Sequence, residues 1–455
     1  MRKNITRLLA VKLFFVLIVL GLDIVKADVD KILSLQDAID LALVQNPLIE
    51  VSRLQRVVDK FSLRLAYNNF APQFSLDSNI YNSKDNENIY SLTPKTTLKT
   101  KSGLELQANI NVSDQMGTIN NKTSLVATLP LMRGSGSIIN TISLDNSIDQ
   151  EEINRLNYRD SVARVINQVQ TQYLKVLSDH KQLDALYLSL KRSKDTLHEY
   201  RLKVAAGDMP AANIAQQEAQ ITNDKIQLES KSLEKQSNFN DLLTMLGLQP
   251  TDSLTIDVFF EPQVDSIPDL QDAIAQAKRG NYDFQQNLIS LRSKKRTLLQ
   301  SNDDKRVKLD LSGEITADGN KSVNLTASIP INDLSLDYNV VSAKVSLKQA
   351  EINLKKAEND LIATTTNFVR SLNTQKKQID LAVLNLKYAK QNYENALESN
   401  LYGKTSAYEV VAQMQKYLQS EMALINYRIE YYSNYAEFNM FLGLTLDKWQ
   451  VKLAM

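Results

Sequence analysis

The chain repeats itself, and the repeat limits the folds open to it more than any other feature of the sequence. Leu35-Gln36-Asp37-Ala38-Ile39 reappears as Leu270-Gln271-Asp272-Ala273-Ile274, an offset of 235, and the register continues with Ala42 over Ala277 and Asn46 over Asn281. Near the end of each half, Leu246-Gly247-Leu248 reappears as Leu442-Gly443-Leu444, an offset of 196 that Gly207 and Gly403 share. Ordered matches along both halves mark an internal duplication. The offsets differ by 39, so the first half carries an insertion. Pro130-Leu131 and Pro330-Ile331 lie 200 apart, which places most of the extra length between about Asn46 and Pro130. The expected division is a first structural repeat over 28–250, a linker over 251–267 containing Pro262, and a second repeat over 268–455.

Residues 1–27 read as a signal peptide. Arg2, Lys3 and Arg7 make a basic start, an apolar run broken only by Lys12 covers 8–22, and Val25-Lys26-Ala27 has the small-x-small pattern of a cleavage site. The run is too short and too interrupted to span a bilayer well. Its removal takes away five bases (Arg2, Lys3, Arg7, Lys12, Lys26) and one acid (Asp23), so the formal charge falls from +1 to −3. That balance argues against a nucleic-acid binder. Cysteine is absent, which excludes disulfides, thiolate metal sites, a cysteine nucleophile and a lipid anchor on an N-terminal cysteine. No later segment approaches ~18 continuous apolar residues, so a membrane-spanning mature chain must be a closed β-barrel.

Each half reads helix, strands, long helix, break, helix. In the second half Val307, Leu309, Leu311, Ile315 and Ala317 alternate with Lys308, Asp310, Ser312, Glu314 and Thr316. Asp318-Gly319-Asn320 is a tight turn, after which Val323, Leu325, Ala327 and Ile329 resume the alternation. Arms of about 10 residues suit a tilted barrel strand, although a soluble half-buried hairpin has the same pattern. The first half has similar stretches at 74–80, 104–112 and 123–131, with a fourth near 96–100. Two of these are expected to form the matching hairpin and the rest the insertion.

The long helices are seamed. Leu347, Leu354, Leu361 and Phe368 recur every seven residues with Ala343, Ala350 and Ala357 between them. After an eleven-residue step the seam resumes as Ile379, Ala382, Leu386, Ala389, Tyr393 and Ala396. Such a coiled-coil seam lets neighbouring helices approach closely, and the stutter relaxes the supercoil locally. Val162, Val169, Val176, Leu183 and Leu190 form the first-half counterpart. The stretch from about 340 to 399 spans roughly 90 Å as a helix.

At this point the residues resemble the outer-membrane efflux protein family, the TolC-like ducts, over nearly all of the chain after residue 27. Residues 33–42, ending in Asn46-Pro47, look like the family's opening helix. Leu129-Pro130-Leu131-Met132-Arg133-Gly134-Ser135-Gly136 resembles its "QPLLRGxG" strand exit, with Leu129 in place of the usual Gln. Ala206-Gly207 followed by Gln217-Glu218-Ala219-Gln220 is similar to the turn at the duct's inner tip, as is Tyr402-Gly403-Lys404-Thr405-Ser406 leading to Val410 and Gln413.

The resemblance implies a mainly α fold with β: a duplicated helix–β-hairpin–long-helix repeat whose coiled-coil helices form a periplasmic α-barrel. The hairpins would contribute four strands per chain to a trimeric outer-membrane β-barrel, twelve in all. Four strands alone fall short of the eight a bacterial barrel needs. The implied function is the exit duct of a tripartite efflux pump or type I secretion system. Its implied partners are two further copies of the chain, a periplasmic adaptor, an inner-membrane pump through that adaptor, and outer-membrane lipid. The tip turns and adaptor contacts would fall at Gly207, Asp208, Pro210, Gly403, Lys404 and Ser406. Glu409 matches the first acidic position of the family's periplasmic aperture, Ala412 replaces the second, and Asn213 is the first-half equivalent.

Chemistry is expected to be absent, with no enzyme activity and no cofactor or metal. His180 and His198 are 18 residues apart, about five helical turns, too far to share an ion. Carboxylates are scattered over polar helix faces, and no phosphate-cradling loop or nucleophile–base arrangement occurs. The alternative reading is a secreted or periplasmic coiled-coil scaffold with soluble hairpins and no pore.

Overall fold

A computed structural model describes residues 32–82, 88–115, 118–251, 254–258, 260, 266–402 and 404–453. The proposed signal peptide, part of the linker including Pro262, and Gly403 lie outside the described residues.

Each half starts with two short helices that cap themselves. After β1 (Ile32–Leu33), Ser34 and Asp37 form a reciprocal capping box at the start of α1 (Leu35–Gln45). Asn46 ends α1 and caps α2 (Pro47–Asn68), where Pro47 takes the first helical position. Four strands follow: β2 (Gln73–Asn82), β3 (Asn88–Lys99), β4 (Glu105–Gln115) and β5 (Thr118–Pro130). A short α3 (Ser137–Asn140) leads into α4 (Ile142–Ala205), and α5 (Ala212–Met245) returns to β6 (Thr255–Ile256). The second half repeats the plan with α6 (Leu270–Gly280), α7 (Tyr282–Asp304), β7 (Lys308–Thr316), β8 (Lys321–Ser328), α8 (Leu334–Leu401) and α9 (Ala407–Phe441), closed by α10 (Thr445–Lys448).

The 64 residues of α4 and 68 of α8 make rods about 100 Å long at 1.5 Å per residue. On the strand side the helices pack in the order α2, α4, α7, α8, and on the far side in the order α5, α4, α9, α8. The expected seam is buried at Ala343, Ala350, Leu361, Ile379, Ala382, Tyr393 and Ala396, and at Val162, Val169 and Val176 of α4. Leu372, wholly buried, fills the eleven-residue step together with buried Gln375. Near mid-length both halves share one core, around Ile39, Ile166, Leu242, Leu372, Tyr431 and Phe438. Burying such side chains contributes about 1.5–3 kcal/mol each. Beside this core β1 pairs in parallel with β6, and the Tyr173 hydroxyl donates to the Leu33 carbonyl at 2.9 Å. Charged contacts tie both short helices to the first turns of α4. Arg56 of α2 is bidentate to Glu151 at 3.0 and 2.5 Å, and Arg292 and Arg296 of α7 reach Glu152 and Asp149.

The duplicated motifs meet in space. The Asn46 carboxamide accepts from the Leu48 and Ile49 amides and donates to the Met245 carbonyl at the end of α5, at 2.6 Å. Asn281 does the same for α7 and α9, accepting from Phe284 N–H and donating to the Phe441 carbonyl at 3.2 Å. Just past each of those helix ends stands a glycine. A Cβ on Gly247 would lie 2.3 Å from the Gln45 oxygen, and one on Gly443 would lie 2.5 Å from the Gly280 oxygen. Both glycines also have positive φ, as helix-ending turns require.

The sheet holds more strands than the four per chain that the resemblance implies for a barrel. Six strands form one antiparallel sheet in the order β2-β3-β4-β5-β7-β8, so all four first-half stretches belong to it. The sequence left the strand count open because β3 alternates weakly and carries Pro94. Lacking an N–H, Pro94 interrupts the β3–β4 ladder between the Leu92↔Val112 and Lys95↔Asn109 pairs without changing register.

These contacts set an order of sensitivity among glycines. Gly443→Ala forces a methyl into the Gly280 backbone and should cost several kcal/mol, whereas Gly207→Ala, with open space around it, should cost about the 1–2 kcal/mol of a left-handed non-glycine residue. Denaturant unfolding of the two variants side by side checks the ranking.

Candidate functional site

The sheet has two chemically distinct faces, and register keeps them continuous over all six strands. On one face lie Leu98 of β3, Leu106 and Ala108 of β4, Ala127 and Leu129 of β5, Leu309 and Leu311 of β7, and Leu325 and Ala327 of β8. Phe74, Leu76 and Ile80 continue it onto β2. The opposite face is polar and carries as many bases as acids: Lys95, Lys99, Lys122 and Lys308 against Asp77, Glu105, Asp310 and Glu314. An apolar face and a water-compatible face are what a wall between lipid and an aqueous passage requires.

Where the sheet meets the rods, the Leu129–Gly136 segment noted in the sequence forms a compact knot. Arg133 N–H donates to the Val307 carbonyl at 3.1 Å, and Gly134 N–H donates to the buried Asp303 carboxylate at 2.7 Å. Arg306 pairs with the other Asp303 oxygen at 2.9 Å. Asn140 donates to the Gly134 and Gly136 carbonyls at 2.7 and 2.9 Å. This knot lines a charged, open cavity of about 830 Å³ whose walls include Lys99, Glu105, Lys308 and Asp310 from the polar face.

At the far end of the rods lie the two helical turns. Gly207 ends α4 in a double-bonded turn with φ +84°, its N–H donating to Val204 and that of Asp208 to Lys203. Pro210 immediately precedes the cap of α5, Ala211. In the second turn Lys404 N–H donates to Ser399, its ammonium lies 5.9 Å from the Tyr402 ring centre, and Ser406 caps α9 by accepting from Glu409 N–H. Asn213 and Ser406 meet in a groove of about 300 Å³ between the turns, lined also by Ala412 and by Gln216, Gln217 and Gln415. Glu409 is not in that groove. Its carboxylate accepts from Gln413 at 2.6 Å along its own helix. One chain therefore does not bring Glu409 and Asn213 together.

Between tips and core, α4, α8 and α9 meet at a feature the sequence analysis missed. The Arg192 guanidinium lies 4.9 Å from the Tyr393 ring centre, Tyr393 stacks on Tyr417 at 6.0 Å, and Glu421 is half-buried nearby. Burial raises the Glu421 carboxyl above its ordinary value, with Arg192 and Lys390 pulling it back. Only the seam position of Tyr393 signalled this layer in the sequence. Among the described residues no group of three or more His, Asp or Glu could hold a metal ion, and no helix is long and apolar enough to cross a membrane.

The sequence matches no protein-family model and no curated protein. Solved structures do match. The outer-membrane channel OprN aligns with a TM-score of 0.69 at 14% identity, over 90% of this chain and 89% of its own. The outer membrane protein VceC of Vibrio cholerae gives 0.67 at 12% identity, over 90% and 96%. The fold is that of the TolC-like outer-membrane channels. The open-state MtrE channel of Neisseria gonorrhoeae, at 0.67 and 14% identity over 90% and 88%, extends the same match. In the TolC-like fold the two-faced sheet stands at one end of the helical rods and the paired turns at the other.

Glu421 yields a pH test. A carboxyl raised in the folded state stabilises below its unfolded value, and that contribution is lost as pH climbs through the folded value. Stability should therefore decline from near pH 4.5 upward through this group. Glu421→Gln should flatten the decline and raise stability at pH 7, as read by thermal unfolding across pH 4–8.

Proposed function

We propose that the chain is one subunit of an outer-membrane exit duct, a passive conduit serving a tripartite efflux pump or a type I secretion system. The observation that carries this reading is the continuous two-faced sheet at one end of rods about 100 Å long, a length suited to crossing a periplasm. Three copies would close the sheet into a barrel and the helices into a tunnel below it. The chain itself does no chemistry in this reading, so energy comes from an inner-membrane pump reached through a periplasmic adaptor. The adaptor would meet the turns at Gly207, Asp208 and Pro210 and at Gly403, Lys404 and Ser406. The repeats 28–250 and 268–455 would each supply one helical turn, with 1–27 as the export signal and 251–267 as the link between them.

Glu409 is the proposed aperture residue, since a three-fold ring would gather three carboxylates and favour cations. Asn213 would stand as its neutral first-half counterpart, giving a mouth of modest charge. The balanced charges of the polar sheet face support weak ion selectivity above it.

Native mass of the detergent-extracted protein, taken with its conductance in a planar bilayer, tests the reading. A trimer with discrete conductance steps is expected, and Glu409→Ala should reduce its preference for cations. A water-soluble species without conductance would instead leave the coiled-coil scaffold.

A further inference from the structure

We propose that the β2–β3 hairpin is part of the membrane wall, so that each copy contributes six strands and a ring of three closes an eighteen-stranded barrel. This rests on the duct reading above and departs from the twelve strands that the family resemblance implies.

Three observations place the hairpin in the wall. First, β2 and β3 are 10 and 12 residues long, enough for a tilted strand to cross a bilayer at ~9–11 residues. Second, they share the faces of the other four strands. Leu92 sits in register between Ser78 of β2 and Val112 of β4 on the apolar face, while Thr93 pairs with Asp77 on the polar one. A soluble flap has no reason to keep Phe74 and Ile80 79% and 70% exposed in line with a lipid-facing stripe. Third, the turn joining β3 to β4 reaches the base of the sheet. A Cβ on its Gly103 would lie 2.7 Å from the Asn140 amide nitrogen and 2.9 Å from Pro130, both beside the knot where the sheet meets the rods. The hairpin therefore runs the full height of the sheet.

The free edges agree with this. β2 follows α2 and β8 precedes α8, and these helices are the outer members of the strand-side row. β2 and β8 run in opposite directions at the two edges of the sheet. One copy's β8 can thus pair antiparallel with the next copy's β2, keeping the strand count even. Barrel width grows nearly linearly with strand number, so the passage would be about half as wide again as one of twelve strands. Its circumference, roughly 110 Å from the strand spacing and tilt, is close to that of twelve packed helices. Such a barrel need not narrow where it joins the tunnel, and any restriction falls to the tips.

The full chain has no cysteine, so single-cysteine variants test the placement directly. Leu92→Cys and Thr93→Cys change adjacent residues on opposite faces of β3. Both would be extracted, checked for native mass and conductance, and reconstituted. In the eighteen-stranded wall, Thr93→Cys reacts with a charged maleimide from the water-filled passage. Leu92→Cys reacts at least about tenfold more slowly, because lipid excludes both thiolate and reagent, and a fluorophore placed there is quenched by brominated lipid. A conducting trimer in which both positions react equally from water, or whose imaged barrel has twelve strands, overturns the inference and leaves the duct intact. Failure to form a conducting ring at all overturns both.

Discussion

The duct-like architecture depends on how two backbones touch at mid-length. Each long helical hairpin must come back to its starting point, and its returning end meets the first helix pair with no room for a side chain between them. Gly247 lies on the Gln45 carbonyl and Gly443 on that of Gly280, while Asn46 and Asn281 each cap an outgoing helix and hold a carbonyl of the returning one. Terminal carbonyls buried here would otherwise be unsatisfied. The same two asparagines aim α2 and α7, and those helices deliver the chain to the sheet. Packing, capping and direction are thus settled within a few residues, twice over.

From that waist the molecule extends in two chemistries. Toward the tips, seams of large and small apolar residues bring α4, α5, α8 and α9 together, with polar layers such as Asp179–Lys231 at 2.6 Å and Ser193–Asp224 at 2.7 Å set between them. Toward the sheet, Arg56, Arg292 and Arg296 converge on one stretch of α4, and the knot around Asp303 converts helix into strand. Period-seven packing below and period-two alternation above follow from the same duplicated plan. The insertion in the first half breaks that equivalence by adding a hairpin.

Much of this was legible in sequence because it rests on periodicity and on residues with narrow conformational roles. The paired motifs around Asn46 and Asn281, and around Gly247 and Gly443, were visible as repeats. That each asparagine bonds across to the helix ending beside each glycine was not, since a contact 199 residues away leaves no local pattern. Leu372 and Gln375 were passed over because the seam there shifts phase, and burial at a stutter follows neither flanking register. The stretches at 74–80 and 96–100 were legible as strands, but which of the first-half stretches formed the hairpin was not, because Ser, Asn and Thr face both ways and Pro94 argues against a central strand. Sequence could not show that Asn213 lines the groove between the two helical turns while Glu409 bonds along its own helix outside it, because that depends on how the two hairpins pack.

The β8 edge has a consequence for how such a molecule comes into being. All eight of its residues are exposed, and its outer amides and carbonyls have no partner strand among the described residues. In hydrocarbon each such group is penalised by several kcal/mol, so a lone subunit is a poor guest of the bilayer, and in water its bare edge invites pairing with any strand it meets. In the proposed duct, folding, insertion and association would be steps of one concentration-dependent reaction. A subunit of that duct that waited too long for its neighbours would be exposed to misassembly, and a cell would have reason to make the chain in step with its delivery to the membrane.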